Sequence, residues 1–409
     1  DLAALALPAM RILQIHIRYQ QAGGEDAVVR AEATLLRAGG HEVVEYHVQN
    51  PTGAVEASAA MALASWNPLT ARAVRAQVER AQPDVAHVHN TWFTLSPSVH
   101  RALAAAGIPA VMTLHNFRLQ CVNGLLLRDG QVCEDCVGTH PWRGVIHRCY
   151  RQSFASSAVS ASTIALNRRL GTWDHVAIFL VMTEFGRERA VASGLPAERV
   201  VVKPHVVPDP GPRQAPPSTS TTVRFVGRLS EEKGLDTLLA AWAAAAPEGL
   251  QLELIGDGPM RPELERRRSE GVDLVGPLPP AEVTRRMLSA RALVFPSVWY
   301  ETFGLVVAEA AAAGLPVLAS DLGGTPELVG GGTGGWLVKA GDASAWASAL
   351  TILNDGRALD SAGLAGRRIY EARLSPAIGL SRLESIYTAA RSLRGNATDP
   401  LQQRGTSPR

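Results

Sequence analysis

Several features of familiar protein classes are missing from this sequence. Its apolar runs, such as residues 176–182, are short, and none approaches the roughly 20 residues that a membrane-spanning helix needs. The net charge of the 409 residues is only +2, which implies no strong field toward nucleic acid or membranes. Residues 2–8 are apolar but have no basic flank, so they make a poor signal peptide, and we interpret residues 1–9 as an upstream extension. We therefore expect a cytoplasmic protein without a nucleic-acid partner.

Cysteine is scarce, and all of it lies in one interval, residues 117–151. The four residues are Cys121, Cys133, Cys136 and Cys149. Because a reducing cytoplasm disfavours disulfides, four clustered thiols around a central Cys-x2-Cys predict a structural zinc site. The spacing is not one of the common two-knuckle forms, so reduced or redox-active thiols are the alternative.

Strand-like and helix-like segments alternate along both halves of the chain. The alternation predicts an α/β protein made of two doubly wound, Rossmann-like domains that face each other across a cleft, and the chain is long enough for two cores. The Pro-rich segment before residue 222 is typical of a linker. The predicted division is a first domain at 1–205 with the Cys-bearing insertion at 117–151, a linker at 206–221, a second domain at 222–375, a crossing helix at 376–394 and a disordered tail at 395–409.

Small and polar residues follow the predicted strands of the first half. Gly23 and Gly24 come after the first strand, and His89 and His115 end the third and the fourth. Ligands of doubly wound sheets bind at these strand ends, and a glycine pair allows a close backbone approach. A histidine at the end of a strand is, however, more often a structural hydrogen-bonding residue than a catalyst.

Residues 294–314 are the most informative stretch. An apolar strand is followed by a loop and by an Ala-rich helix that begins at Leu305 and is closed by Gly314. Such a helix N-terminus suits a phosphate. Glu301 lies in the loop, and Glu309 lies among Val and Ala residues of the helix. A lone carboxylate in so apolar a helix is predicted to be partly buried and to need a partner.

Thr302, Phe303 and Gly304 lie between these two glutamates, and Ala-x-Ala-x-Gly-x-Pro-Val follows them. This pattern resembles that of the retaining glycosyltransferases of glycosyltransferase family 4, which have the GT-B fold. The resemblance implies that Glu301 lies near the donor sugar and that Glu309 holds the ribose hydroxyls of the nucleotide. Thr302, Phe303, Gly304 and Leu305 would line the same donor site.

Further segments are similar to the family pattern. Gly227-Arg228 and Lys233-Gly234 resemble its diphosphate loop, and the charge that develops on a nucleoside diphosphate leaving group needs such cations. The resemblance also assigns Gly256, Asp257 and Leu278 to the nucleotide site. It places Gly23 and Gly24 at the donor diphosphate and His115 at the transferred sugar.

The resemblance implies transfer from a nucleoside-diphosphate sugar, with UDP as the default, and retention at the anomeric carbon. No Asp-x-Asp occurs in the sequence, so we expect transfer without a catalytic metal. We also expect front-face attack, in which the leaving phosphate takes the acceptor proton. The acceptor is left open between a glycan, a lipid-linked saccharide and a small metabolite. Arg143, His147, Arg148 and Arg151 form a basic rim that could meet a phosphate-bearing acceptor or the inner face of a membrane, although a solvated face is the simpler interpretation.

Two other functions are compatible with this architecture. A sugar-nucleotide epimerase would need acid and base carboxylates in the first domain, and none is clearly placed there. A non-catalytic sugar-nucleotide-binding scaffold with a zinc module would not need Arg228, Lys233, Glu301 and Glu309 together.

Overall fold

The computed structural model describes residues 8–18, 23–245, 247–267 and 270–395. Within these residues, each half of the chain forms a parallel sheet between helices, so the predicted pair of α/β domains is confirmed. Most of the predicted upstream extension and all but the first residue of the predicted disordered tail lie outside the described residues. No helix in the described part is both long enough and apolar enough to cross a membrane.

The first half contains one large sheet and a small hairpin. Its strands are β1 (Arg11–Arg18), β2 (Glu42–Gln49), β3 (Val85–Val88), β4 (Ala110–Thr113), β5 (Leu127–Arg128), β6 (Gln131–Val132), β7 (Ile178–Val181) and β8 (Val200–Val202). Its helices are α1 (Gly24–Ala38), α2 (Ala54–Ala62), α3 (Pro68–Ala81), α4 (Ser98–Ala105), α5 (Trp142–Ile146), α6 (Phe154–Arg169) and α7 (Glu184–Ala192). Six strands pair in parallel in the order β2-β1-β3-β4-β7-β8, and β5 and β6 form the antiparallel hairpin.

Neighbouring residues of β1 face opposite layers of the first domain, because successive side chains of a strand alternate. Ile12 joins the layer that contains Leu36 of α1. Leu13 joins the layer that contains Val74 of α3 and Leu103 of α4. Both faces of the strand are therefore buried, as expected for a parallel sheet covered by helices on both sides.

The second half repeats this plan. Its strands are β9 (Thr222–Val226), β10 (Gln251–Ile255), β11 (Val272–Gly276), β12 (Ala292–Phe295), β13 (Val317–Ser320) and β14 (Gly335–Val338). Its helices are α8 (Leu235–Ala245), α9 (Arg261–Arg266), α10 (Pro280–Leu288), α11 (Leu305–Ala312), α12 (Thr325–Leu328), α13 (Ala343–Leu350), α14 (Gly356–Arg373) and α15 (Pro376–Gly395). The strand order is β11-β10-β9-β12-β13-β14, all parallel. The order reverses between β1 and β3 in the first sheet and between β9 and β12 in the second, and ligand crevices open at such points.

The last helix leaves the second half and packs on the first sheet. Leu383 and Tyr387 of α15 are fully buried in the layer that contains Ile12. The hydroxyl of Tyr387 lies 2.8 Å from Nδ1 of His87 in β3. The chain therefore completes its first domain with its carboxyl-terminal helix.

The two halves also meet directly. The Thr302 hydroxyl donates to the His115 carbonyl at 3.0 Å, and the rings of Phe185 and Tyr300 lie 4.6 Å apart. The carboxylate of Glu327 in α12 accepts the first amides of α7, from Glu184 and Phe185, at 2.8 Å each. A carboxylate from one domain thus caps a helix N-terminus of the other.

Candidate active site

Three loops of the second domain meet at the carboxyl ends of its central strands. They follow β9, β10 and β12, and their backbones are in direct contact. A Cβ on Gly256, whose φ is +140°, would lie 1.9 Å from the Gly227 carbonyl oxygen, and a Cβ on Gly234 would lie 2.0 Å from the Pro296 oxygen. No side chain fits at either position, which explains why glycine recurs in these loops. The packing fixes the loops that carry Arg228, Lys233 and Glu301.

Lys233 and Glu301 form a largely buried ion pair in this crevice. The ammonium group lies 2.5 Å from Oε1 of Glu301, and the two side chains are 17% and 9% exposed. The same carboxylate oxygen accepts from the Ser297 hydroxyl and the Trp299 indole, both at 2.8 Å. The ammonium group also lies over the Trp299 ring, 5.3 Å from its centre. These contacts hold both charged groups in one geometry before any ligand is bound.

Arg228 differs from Lys233 in its surroundings. It is exposed, and within the described ranges its guanidinium group has no hydrogen bond or ion pair. Asp257 is also exposed, and its carboxylate accepts the Gly258 amide at 2.9 Å. Leu278 is half-buried in the loop before α10. Within the described ranges, the loops after the central strands of the second domain thus present an exposed cation that has no carboxylate partner.

Helix α11 begins directly after the loop that carries Glu301. Gly304 precedes it with φ at +85°, a conformation that favours glycine. Phe303 is buried, and Leu305 is half-buried as the first helical residue. One turn further, Glu309 is half-buried, and burial raises the pKa of its carboxyl group to about 7. The expected partly buried carboxylate is therefore present, and it lacks a charged partner within the part of the chain that the structure describes.

On the opposite wall, His115 belongs to a row of imidazoles. Nδ1 of His89 lies 3.1 Å from Nε2 of His115. The rings of His115 and His205 stack with centres 5.3 Å apart, and His205 meets Phe303 of the second domain edge-on at 5.1 Å. Burial lowers the pKa values of all three histidines well below the usual value. They are therefore neutral at pH 7, and each ring has one donor and one acceptor nitrogen.

A buried ion pair behind this row was not predicted from the sequence. Lys203, just after β8, contacts Glu32 of α1, and both side chains are 2% exposed. Burial by itself would raise the pKa of Glu32, but Lys203 and nearby imidazoles lower it overall. Oε2 of Glu32 lies 3.6 Å from Nε2 of His89 and 3.7 Å from Nδ1 of His87. No local pattern links residues this far apart in sequence.

Glu32, His87 and His89 have ligand atoms within 4.8 Å of one another, as a metal site requires. However, Lys203 already neutralises the carboxylate. An ammonium group at this distance would repel a divalent cation, so we interpret the group as a structural network.

Gly23 and Gly24 stand at the N-terminus of α1. The Gly23 amide contacts the Asp26 carboxylate at 3.1 Å, and Asp26 in turn lies 3.0 Å from Nε2 of His16 at the end of β1. Among the described residues, a Cβ on either glycine would meet no atom within 4 Å. The predicted contact with a diphosphate stays a prediction.

The four cysteines line one small cavity between the β5–β6 hairpin and α5, and none forms a disulfide. In the described part of the chain, no three of their sulfur atoms lie within 4.8 Å of one another. The thiols are thus gathered around a common space without the close geometry of a zinc site, and zinc stays a prediction.

A second cavity, of about 50 Å³, lies beside His115. Its wall includes His89, Trp92, Arg118 and Ile164. The volume suits one or two water molecules rather than a saccharide. An acceptor would therefore have to bind at its mouth or widen it.

Two family models match successive parts of the chain. The glycosyl transferase 4-like domain covers residues 18–205, and the glycosyl transferases group 1 domain covers residues 220–355. Each half of the chain therefore matches a glycosyltransferase family model, and the model of the first half is the GT4-like one.

Curated relatives of these domains match parts of the chain. The amylovoran biosynthesis glycosyltransferase AmsK of Erwinia amylovora is 30% identical over 196 residues, which are 44% of this chain and 48% of that protein. D-inositol 3-phosphate glycosyltransferase of Corynebacterium kroppenstedtii is 37% identical over 153 residues, 34% of each chain. Phosphatidyl-myo-inositol mannosyltransferase of Mycobacterium leprae is 37% identical over 146 residues, 34% of this chain and 38% of that one. The matches span less than half the length of these relatives.

Solved structures agree over almost the whole chain. Anabaena Alr3699/HepE in complex with UDP has a TM-score of 0.65 at 18% identity, covering 93% of this chain and all of that one. Sucrose-phosphate synthase from Thermosynechococcus elongatus has a TM-score of 0.67 at 20% identity, covering 94% of this chain and all of that one. These similarities identify the fold of the chain as GT-B.

Proposed function

We propose that the protein is a retaining glycosyltransferase that moves a sugar from a nucleoside-diphosphate sugar to a hydroxyl group of an acceptor. The observation that carries the proposal is the Lys233–Glu301 pair, which is fixed at the point where the strand order of the second sheet reverses. Thr302 joins the same loop to the His115 carbonyl of the first domain. A donor bound there would have its diphosphate near cations and its sugar between the two domains.

The roles follow from charge and reach. Lys233 and the exposed Arg228 would bind the diphosphate, and their charge would stabilise the leaving group as its negative charge develops. Glu309 would accept hydrogen bonds from the ribose hydroxyls, which would give its half-buried carboxylate the partners it lacks. Gly256, Asp257 and Leu278 would line the nucleotide, and Gly23 and Gly24 would approach the diphosphate from the first domain.

Neutral His115 would contact the transferred sugar as a hydrogen-bonding group. No carboxylate is clearly placed as a covalent nucleophile, so we assign front-face attack, with the leaving phosphate accepting the proton of the acceptor hydroxyl. The absence of Asp-x-Asp favours transfer without a catalytic metal. Closure of the domains would exclude water and limit hydrolysis of the donor.

UDP is the proposed nucleotide. Anabaena Alr3699/HepE was solved with UDP and with UDP-glucose, which supports a uridine donor without naming the sugar. The acceptor stays open between a glycan, a lipid-linked saccharide and a small metabolite. The proposal also assigns a structural zinc ion to the four cysteines, since thiolates are preferred zinc ligands and all four line one cavity.

Ligand-dependent thermal unfolding tests the donor site. Mass action predicts stabilisation of about 2.7 kcal/mol at a ligand concentration of 100 times Kd. UDP should raise the melting temperature of the wild type with EDTA present, and it should not do so for Lys233→Ala. Lys339→Ala is the matched control, because Lys339 is 78% exposed in the same domain.

The same proteins are then assayed with UDP-sugars. Slow release of UDP that requires Lys233 would support an enzyme, whereas donor binding without release or transfer would favour the scaffold. A product with altered sugar stereochemistry still attached to UDP would favour the epimerase. Stabilisation by no nucleotide among UDP, GDP and ADP would refute the donor assignment.

A further inference from the structure

The Cys-bearing insertion and α6 form a stretch of unusual charge. Between Asp135 and Asp174 the sequence contains no acidic residue. Arg148 and Arg151 of this stretch are exposed, and within the described ranges neither has a carboxylate partner. Arg143 lies 3.8 Å from Asp135, but that carboxylate already accepts a bond from another arginine of the insertion at 2.8 Å. The stretch is therefore locally basic, although the whole chain is nearly neutral.

Large apolar side chains stand beside these arginines. Helix α5 buries Val145, and it exposes Trp142 by 47% and Ile146 by 74%. Trp142 and Ile146 are one helical turn apart, so they lie on the same face. Phe154, the first residue of α6, is 61% exposed. Val145 packs in one cluster with Ile164 of α6, so α5 and α6 form one packed unit that carries these exposed side chains.

We propose that this surface docks on a lipid bilayer with anionic headgroups. It is called the α5 surface below, and its residues are Trp142, Arg143, Ile146, Arg148, Arg151 and Phe154. Apolar side chains flanked by exposed arginines are the composition of a protein face that lies in the membrane interface. The rings and the Ile side chain enter the boundary of the acyl chains, while the guanidinium groups bind phosphates.

Charge and shape favour a bilayer over an acidic protein partner. Helix α5 has five residues and offers two apolar anchors. A protein groove that binds an amphipathic helix contacts a longer row of apolar side chains. A bilayer needs no complementary shape, and arginines around the anchors add attraction to any anionic headgroup.

The α5 surface also adjoins the proposed acceptor side. The Trp92 indole donates to the Tyr150 hydroxyl at 3.2 Å, and the guanidinium group of Arg118 lies over both rings at 5.2 and 5.3 Å. Trp92 and Arg118 line the cavity beside His115. Docking would therefore hold the first-domain wall of the cleft close to the bilayer.

Vesicle sedimentation of the full chain tests the proposal. Wild-type protein should sediment with vesicles of phosphatidylcholine and phosphatidylglycerol at low salt, and it should bind much less to pure phosphatidylcholine. Binding should weaken as salt is raised, because salt screens exposed charges. Failure to sediment with the anionic vesicles, or equal binding to both vesicle types, would overturn the proposal.

Two double variants separate the contributions of charge and apolar contact. Arg148→Gln/Arg151→Gln should bind anionic vesicles roughly 25-fold more weakly, from about fivefold for each arginine. Trp142→Ser/Ile146→Ser should bind anionic vesicles at least about tenfold more weakly than the wild type. The matched control is Leu364→Ser/Arg368→Gln on α14, since Leu364 is 64% exposed and Arg368 is exposed in the other domain.

The proposal fails if either α5 variant binds anionic vesicles as strongly as the wild type, or if the control variant loses as much vesicle affinity as the α5 variants. It does not depend on sugar transfer. Lys233→Ala should bind vesicles like the wild type, so failure of the proposed function and failure of the docking surface are distinguishable.

Discussion

Replacement of Glu309 by glutamine should stabilise the unliganded protein. Burial raises the pKa of this carboxyl group from 4.5 to about 7, so the folded state favours its neutral form. A difference of that size corresponds to about 3 kcal/mol. Glu309→Gln keeps the shape of the side chain and removes the charge. Above pH 7 the variant should therefore be more stable than the wild type by up to about 3 kcal/mol.

The pH dependence identifies the cause. Because the folded pKa is above the unfolded value, protonation favours the folded state. The wild type thus loses stability as pH rises from 4.5 through about 7. The advantage of Glu309→Gln should be absent near pH 4, grow across this window and stay constant above it. Urea unfolding at a series of pH values measures the difference, and titration of other groups cancels between the two proteins.

The control is Glu198→Gln, since Glu198 is exposed in the first domain and should give no comparable pH-dependent difference. A Glu309→Gln protein that is no more stable at pH 8 than at pH 4, relative to the wild type, would refute the reasoning. Saturating UDP should reverse the order, because ribose hydroxyls would bind the carboxylate more strongly than the amide. A stability gain with a loss of nucleotide affinity is typical of a functional site.

Three further predictions concern the scaffold of the site. Gly256→Ala should lower the free energy of unfolding by about 3 kcal/mol or more, because its Cβ would lie 1.9 Å from the Gly227 oxygen. Urea unfolding measures this loss, and a loss no larger than that of Gly24→Ala would contradict the prediction. Glu32→Gln should lower the free energy of unfolding by about 3–5 kcal/mol, because it leaves Lys203 buried and unpaired. Adding Lys203→Met should recover part of this stability, and no recovery would argue against the ion pair as the cause. The purified chain should contain about one zinc ion, and its removal should lower the melting temperature; a zinc-free protein that is unaffected by chelators would leave reduced thiols as the answer.

Sequence reasoning reached the two parallel sheets because their signals are local. Apolar runs such as residues 292–295 are short enough to read as buried strands, and the structure has β12 there. Helix α2 at Ala54–Ala62 was not assigned, since the surrounding residues are small and no strong apolar stripe marks a core-facing side. The crossing helix was predicted at residues 376–394 and the structure has α15 at Pro376–Gly395, a difference of the size that is usual at helix ends.

The candidate site divides in the same way. Arg228, Lys233, Glu301 and Glu309 lie in two short segments whose spacing is visible in the sequence, so they could be proposed without coordinates. Their roles stay predictions, but the contact between the loops that carry Lys233 and Glu301 is consistent with the neighbouring positions of β9 and β12 in the sheet. The basic arginines of the insertion were also visible, whereas the outward position of Trp142 and Ile146 was not.

The sequence by itself determined the α/β class, the two domains and the residues of the segments proposed to bind the diphosphate and the ribose, because each of these is set by neighbours along the chain. Only the tertiary structure decided which distant groups meet. It paired Lys203 with Glu32, aligned His89, His115 and His205 in a row that ends at Phe303, and joined Thr302 to His115 across the domain boundary. The physical reason is that burial and electrostatic pairing depend on distance in space, which local periodicity does not encode.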